Sequence, residues 1–275
     1  MVLNLEDLPN FINNICEKRE IDLSQYNKFI DTAFFAIIWA KYLKDKTKII
    51  PPKSNSESFK YLAKIQGSLE SDTTIPLRKF SPKTRDAVEL FSEEFINIVN
   101  ISDSNLKKYI KYIISELINN TVDYAQSNTD IVCCAQLFPK KEIMEIAIVD
   151  TGIGFKNSLS KKYPTIKDER SALEKAIKKG VSGSLNTIIS NGVQKNAGFG
   201  LFTISSMIKK FGSRMIMISY NGMLELSKNS ENSLFLEKYW PGSIIIISLT
   251  PNIVIDLTHF LKEIREEDSS DEDIF

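Results

Sequence analysis

Three stretches of this sequence carry residue types that could do chemistry together. The first is Tyr109 to Ala125, YIKYIISELINNTVDYA, which has a helical period. At about 100° per residue, Glu116, Asn120 and Asp123 fall within about 60° of one another, with Ile114, Ile118, Val122 and Ala125 opposite. The apolar stripe can pack on a sheet while two carboxylates and an amide face one cavity; as a solvated polar face the same residues would serve equally well. In the second stretch, a strand pattern, EIMEIAIV, runs into Asp150-Thr-Gly-Ile-Gly154. An acid at the carboxyl end of a strand, followed by alternate glycines, sets a fixed acceptor beside a backbone that a ligand can approach closely. A simple turn would use the same residue types. The third stretch, Asn196-Ala-Gly-Phe-Gly-Leu201, opens a helix. Glycines at a helix start expose unpaired N–H groups and the positive end of the dipole, which suits a phosphate. It is neither a Walker A loop nor a dinucleotide fingerprint.

In this order and spacing the three resemble the ATP-binding domain of the gyrase, Hsp90, histidine-kinase and MutL (GHKL) superfamily. Glu116-Leu-Ile-Asn-Asn120 is similar to its N box, Asp150-Thr-Gly-Ile-Gly154 to its first glycine box, and Gly198-Phe-Gly-Leu201 to its second. Pro241-Gly-Ser243, followed by an isoleucine run, looks like its closing strand, although Ser243 stands where threonine is usual and Phe199 interrupts the second glycine box. The resemblance covers about 84–252. It implies that ATP and Mg²⁺ are the cofactors. Asp150 would accept from the adenine amine, with Ser243 as a partner through water. Asn120 would ligate Mg²⁺, with Asp123 beside it on the same face, and Glu116 would be the general base. Gly152 and Gly154 would permit close approach and hinging. The backbone of Gly198, Phe199, Gly200 and Leu201, with Lys195, would hold the terminal phosphates. Phosphoryl transfer depends on charge neutralisation and positioning, so a base, a metal ligand and an amide cradle suffice.

The elements that must position these residues divide the chain into 1–82, 83–258 and 259–275. The first part reads as short α/β elements: strands at Glu20–Leu23 and Thr47–Ile50, an apolar helix over Asp31–Leu43 and a helical pattern over Ser56–Ile65. A polar stretch holding Gly67, Ser68, Ser71, Asp72 and Pro76 carries the boundary. The second part reads as helices over Thr84–Val99 and Ser104–Ala125 and strands over Ile131–Leu137 and Ile143–Val149. A polar region from Lys156 to Asn196 follows, then a helix over Phe199–Phe211 ending at Gly212, and strands over Arg214–Tyr220, Met223–Ser227 and Ser243–Leu249. So long a stretch with little regular patterning is usually a functional lid. The elements read as α/β of the α+β kind, and the resemblance implies a Bergerat-type two-layer sandwich preceded by a small, STAS-like α/β domain.

Composition narrows the rest. Lys plus Arg and Asp plus Glu are each 35 in 275 residues, so no broad electrostatic grip on nucleic acid is advertised. From Glu263 onward, however, there are seven acids against Arg265 alone, a net −6 that leaves +6 on the rest; this tail reads as disordered. Three cysteines, two of them adjacent, make no disulfide framework, and with His259 alone a Cys/His zinc site lacks ligands. Cys133 and Cys134 on a strand would point to opposite faces. The longest apolar run, Ala33–Ala40, is too short to cross a membrane, and the N-terminus lacks a signal-peptide pattern, so the expectation is cytoplasmic with no membrane association.

The sole histidine lies after the ATP-binding region, which argues against autophosphorylation on histidine in cis. Ile21-Asp-Leu-Ser24, Phe29-Ile-Asp-Thr-Ala33 and the apolar helix look like a STAS domain, the partner class of anti-sigma kinases; that resemblance nominates Thr32 for phosphorylation, although a helix cap explains Asp31-Thr32 as well. The expected function is slow Mg-ATP hydrolysis with a nucleotide-ordered lid acting on a regulatory protein partner or a second copy in a homodimer. The alternatives are an anti-sigma-type serine/threonine kinase and a nucleotide-gated binding module without meaningful hydrolysis.

Overall fold

Apart from Glu145, Ile143–Val149 and Ile244–Ile247 are apolar at both odd and even positions, a pattern suited to strands covered on both faces. The computed structural model describes residues 1–81, 86–98, 103–183, 188–190, 193–195, 198–250 and 256–266. In chain order its elements are β1 (Val2–Leu3), α1 (Leu8–Ile15), β2 (Glu20–Asp22), β3 (Phe29–Ile30), α2 (Thr32–Asp45), β4 (Lys48–Ile50), α3 (Glu57–Ile65), β5 (Thr74–Phe80), α4 (Asp86–Ile98) and α5 (Ser104–Tyr124). These are followed by β6 (Ile131–Phe138), β7 (Ile143–Val149), α6 (Gly154–Leu159), α7 (Glu169–Ala176), β8 (Ile188–Ser190), β9 (Val193–Lys195), α8 (Gly200–Phe211), β10 (Arg214–Leu226), β11 (Glu231–Leu249) and α9 (Leu257–Glu266). Short 3₁₀ turns precede α1 (Leu5–Asp7) and β7 (Pro139–Lys141).

The class is α+β, centred on a five-stranded sheet of order β10-β11-β7-β6-β5 in which every neighbouring pair is antiparallel. The period of two sorts its side chains. Cys133, Ile146, Ile148, Met215, Met217, Ile245 and Ile247 join a core with α4, α5, α8 and α9. Cys134, Ala147, Val149, Ile216, Ile218, Ile244 and Ile246 join a second core with α1, α2 and α3. The adjacent cysteines therefore do point to opposite faces, and all three cysteines are free thiols. Burying one such isoleucine is worth about 1.5–3 kcal/mol, so a charge at Ile146 or Ile246 would weaken the packing of one helical layer on the sheet.

The sheet with α4, α5, α8 and α9 makes two layers, and the N-terminal segment adds a third by covering the other face of the sheet. That segment makes two separate two-stranded parallel ladders, β1 with β3 and β2 with β4. Thr74–Phe80, read from sequence as part of a polar boundary stretch before residue 83, is instead the outer strand β5 of the main sheet. The two strands expected over Arg214–Tyr220 and Met223–Ser227 are one strand with a bulge near Tyr220, where φ is 46°. Its partner β11 begins twelve residues before Ser243 and completes a long hairpin arm. The region read as unpatterned from Lys156 to Asn196 contains α7 and the small β8–β9 hairpin. Residues 259–266, read as the start of a disordered tail, continue α9, while 267–275 fall outside the described residues.

Candidate functional site

Helix α5 starts at Asp103, whose side chain accepts from the Leu106 N–H at 2.7 Å. Tyr109, Ile110, Ile113, Ile114, Leu117 and Ile118 are buried in the core beneath the sheet, which turns the Glu116–Asn120 side the other way. That side meets the start of α8. A methyl group built on Gly200 would overlap the Glu116 carboxylate at Oε2 and stand 3.5 Å from Asn120 Nδ2. Burial, and secondarily the neighbouring Asp123 charge, raise the Glu116 carboxyl above its ordinary range. The N-cap residue of α8, Phe199, makes no side-chain capping bond, so among the described residues its first amides and the positive end of the helix dipole are left at this junction.

The acid at the end of β7 is buried, with 2% of its surface exposed. Asp150 Oδ1 accepts the Gly152 N–H at 2.8 Å, and Oδ2 accepts the Ser243 hydroxyl in a very short hydrogen bond. The main chain adds two contacts: Asp150 N–H donates to Ser243 O at 2.9 Å, and Trp240 Nε1–H donates to Asp150 O at 3.1 Å. Burial raises the Asp150 carboxyl, opposed by the donors from Ser243 and Gly152. The chain then passes under the end of α5. Ile153 N–H donates to Ala125 O at 2.8 Å, and any Cβ on Gly152 would collide with that carbonyl. This contact brings the Gly152 turn against the helix that carries Glu116 and Asn120.

Beyond it, Gly154 has φ 72°, a region closed to most L-residues, and a side chain there would come within 2.7 Å of the Tyr220 ring. The following amides are collected by two buried side chains. Phe155 N–H donates to Ser219 Oγ at 2.8 Å, Ser219 Oγ–H donates to Glu169 Oε2 at 2.7 Å, and Lys156 N–H donates to the same Glu169 oxygen at 3.0 Å. Glu169 thus ties α6 and α7 to strand β10. Further along, Tyr124 and Ser182 share a hydrogen bond at 3.1 Å, and Gly198 lies so close to Gly180 and Val181 that a Cβ there would stand 2.5–2.6 Å from their backbone. The segment after Gly154 is thus tied to β10 through Ser219 and to the end of α5 through Ser182.

Of the sequence-predicted residues, Glu116, Asn120 and Gly200 converge at the α5–α8 junction, Gly198 packs instead on Gly180 and Val181, and Asp150, Gly152 and Ser243 form a second cluster bound to the end of α5. Asp123 lies close enough for its charge to act on Glu116. Phe199 is the N-cap of α8, and Leu201 packs against the core beneath the sheet. Lys195 ends β9, and its side chain lies outside the described residues, as do Asn196 and Ala197. Sequence reasoning missed Trp240 and Glu169. Trp240 stands immediately before the Pro-Gly-Ser motif and could have been noticed there; Glu169 sits in a region without periodic signal. Thr32 is fully buried, with its hydroxyl bonded to Tyr61 OH.

The donor set fits a nucleotide with a phosphate-borne cation. Among the described residues, no group of three or more His, Cys, Asp or Glu side chains is gathered to hold a metal alone, whereas Mg²⁺ is commonly bound through one or two protein oxygens plus phosphates. The Gly200 cradle, which a side chain would fill, lies between the uncapped amides of α8 and Asn120. Among the described residues, no helix is long and apolar enough to cross a membrane. No protein-family model matches the sequence, and no curated protein is similar to it.

Proposed function

We propose that the protein binds Mg-ATP in a GHKL-type pocket and hydrolyses it slowly, using the segment between Gly154 and Gly198 as a nucleotide-ordered lid. A protein partner or a second copy of the chain reads the state of that lid. The observation that carries this reading is the junction of α5 with α8: a carboxylate and an amide on one helix abut a glycine at the uncapped start of another. The Asp150–Ser243–Gly152 cluster supports it with a buried acceptor fixed from several directions.

In this reading Asp150 accepts from the exocyclic amine of adenine, and Ser243 holds the carboxylate in place. The amides of α8 near Gly200 bind the terminal phosphates. Asn120 contributes an oxygen to Mg²⁺, which when bound neutralises phosphate charge and favours in-line attack. Glu116, raised by burial toward the working pH, orients the attacking water and takes its proton. Calorimetry with Mg-ATP tests the binding, and phosphate release by Glu116→Ala tests the base. The variant keeps nucleotide affinity and loses turnover; undiminished release would refute the assignment. Label from the γ-phosphate found on protein instead of in solution would mark a protein hydroxyl as the acceptor.

A further inference from the structure

Across the five strands, the face toward the N-terminal segment carries one polar row. The register aligns Arg214 with Ser248, Ser248 with Glu145, Glu145 with Gln136, and Gln136 with Thr74. The neighbouring row on the same face is Ile216, Ile246, Ala147 and Cys134, which is apolar or weakly polar throughout. Residues of the N-terminal segment complete the polar row. Thr32 bonds Tyr61, Tyr61 OH donates to Gln136 at 3.0 Å, and Arg214 pairs with Glu6 at 2.9 Å. At its centre Glu145, 3% exposed, accepts the Ala33 N–H at the start of α2 at 3.3 Å. Asp31, 5% exposed and one residue before α2, accepts the Leu5 N–H at 3.0 Å. Among the described residues, neither carboxyl has a cation within ion-pair distance. Two acids are therefore buried at one helix start with backbone donors alone.

We propose that this row is a proton-dependent latch: the segment carrying α1 to α3 is seated on the sheet while Glu145, within reach of the Asp31 charge, holds a proton, and loss of that proton to solvent releases α2. Ionising both carboxyls in a dry interface is costly, whereas in water each ionises freely. Burial, then the Asp31 charge, lifts Glu145 to about 8. The other groups facing the pair are Lys141, which lies over the Phe29 and Phe138 rings; Arg214, engaged by Glu225 and Glu6; Asp7; and the neutral Cys134 and Tyr61. Lys141 and Arg214 oppose the rise without cancelling it. Because the seated form holds the proton more tightly than the released form, the contribution to seating is complete at acid pH and disappears as pH rises through the midpoint of the pair.

Hydrogen exchange on the full chain tests this, with rates corrected for intrinsic exchange and α5 as the reference on the opposite face of the sheet. Between about pH 6.5 and about pH 8.5, protection of α2 should fall about twentyfold while that of α5 stays level. Glu145→Gln, a permanent mimic of the protonated acid, should keep α2 protected across the window, and Asp31→Asn should move the transition to lower pH. Constant protection in the wild type, an equal fall in α5, or unaltered pH dependence in Glu145→Gln would overturn the latch. Should Glu145→Gln fail to fold, infrared titration of the wild type decides: a protonated carboxyl band present at neutral pH and lost in the same window supports it, and the absence of that band overturns it.

Discussion

Glu116 and Gly200 share one space: the carboxylate of the first occupies the volume that a side chain on the second would need. Gly200→Ala therefore displaces the end of a flexible side chain and leaves the backbone alone. Its stability cost should stay below about 1 kcal/mol, while phosphate release falls at least about tenfold because the base has moved. Thermal melts and a single-turnover assay check the two halves, and a large loss of stability with intact turnover would contradict both.

The pH profile should carry the mark of Asp123. If Glu116 is the base, as proposed, it works when deprotonated, and burial together with the Asp123 charge raises its midpoint, so turnover should fall as pH drops through a value above the usual glutamate range. Asp123→Asn removes the like charge, so the midpoint should move down and activity extend to lower pH. Single-turnover rates across the acid limb measure it; a midpoint that does not move in the variant would remove Asp123 from the site.

Ser243→Ala deletes the hydroxyl that donates to Asp150 Oδ2. It should cost about 1 kcal/mol of stability and raise the Asp150 carboxyl further, since the lost bond favoured its charged form. Asp150→Asn keeps the shape and loses the charge, and should weaken nucleotide affinity at least about tenfold, or about 1.4 kcal/mol. Calorimetry distinguishes these from a folding defect because both variants can be melted in parallel.

Gly152→Ala gives the contrasting case. Its new Cβ would strike the Ala125 carbonyl, a backbone group that cannot swing aside. A loss of about 3 kcal/mol is expected in a denaturant titration, compared with the small cost at Gly200. Equal costs at the two glycines would show that the loop after β7 can retreat from α5.

Most long elements were legible in the sequence because their periods are undisturbed. Helix α5 ends within a residue of its expected span, β7 matches its span, and Phe199–Phe211 becomes Gly200–Phe211. What escaped has a physical reason in each case. Strand β5 contains Pro76 and follows a run of turn residues, so its edge position, tolerant of a proline, hid it. The arm of β11 from Glu231 to Trp240 alternates irregularly because it bulges against Tyr220. The polar row was invisible for a different cause: its members are scattered from residue 74 to residue 248 and meet only through strand register. The stretches that build the candidate site were easier to read because each is a run of a few consecutive residues, although each cluster joins stretches more than 80 residues apart. Even so, the bond from Trp240 to Asp150 O depends on two strands lying side by side.

Both broad surfaces of the central sheet are already occupied, one by α4, α5, α8 and α9 and the other by the N-terminal helices. A second copy that joined through this sheet would have to do so along its rims, at the outer strands β5 and β10, or wait until the N-terminal layer had lifted away. Self-association by the flat route and detachment of that layer would then be one event, and acidity that favours the seated layer would keep the molecules apart.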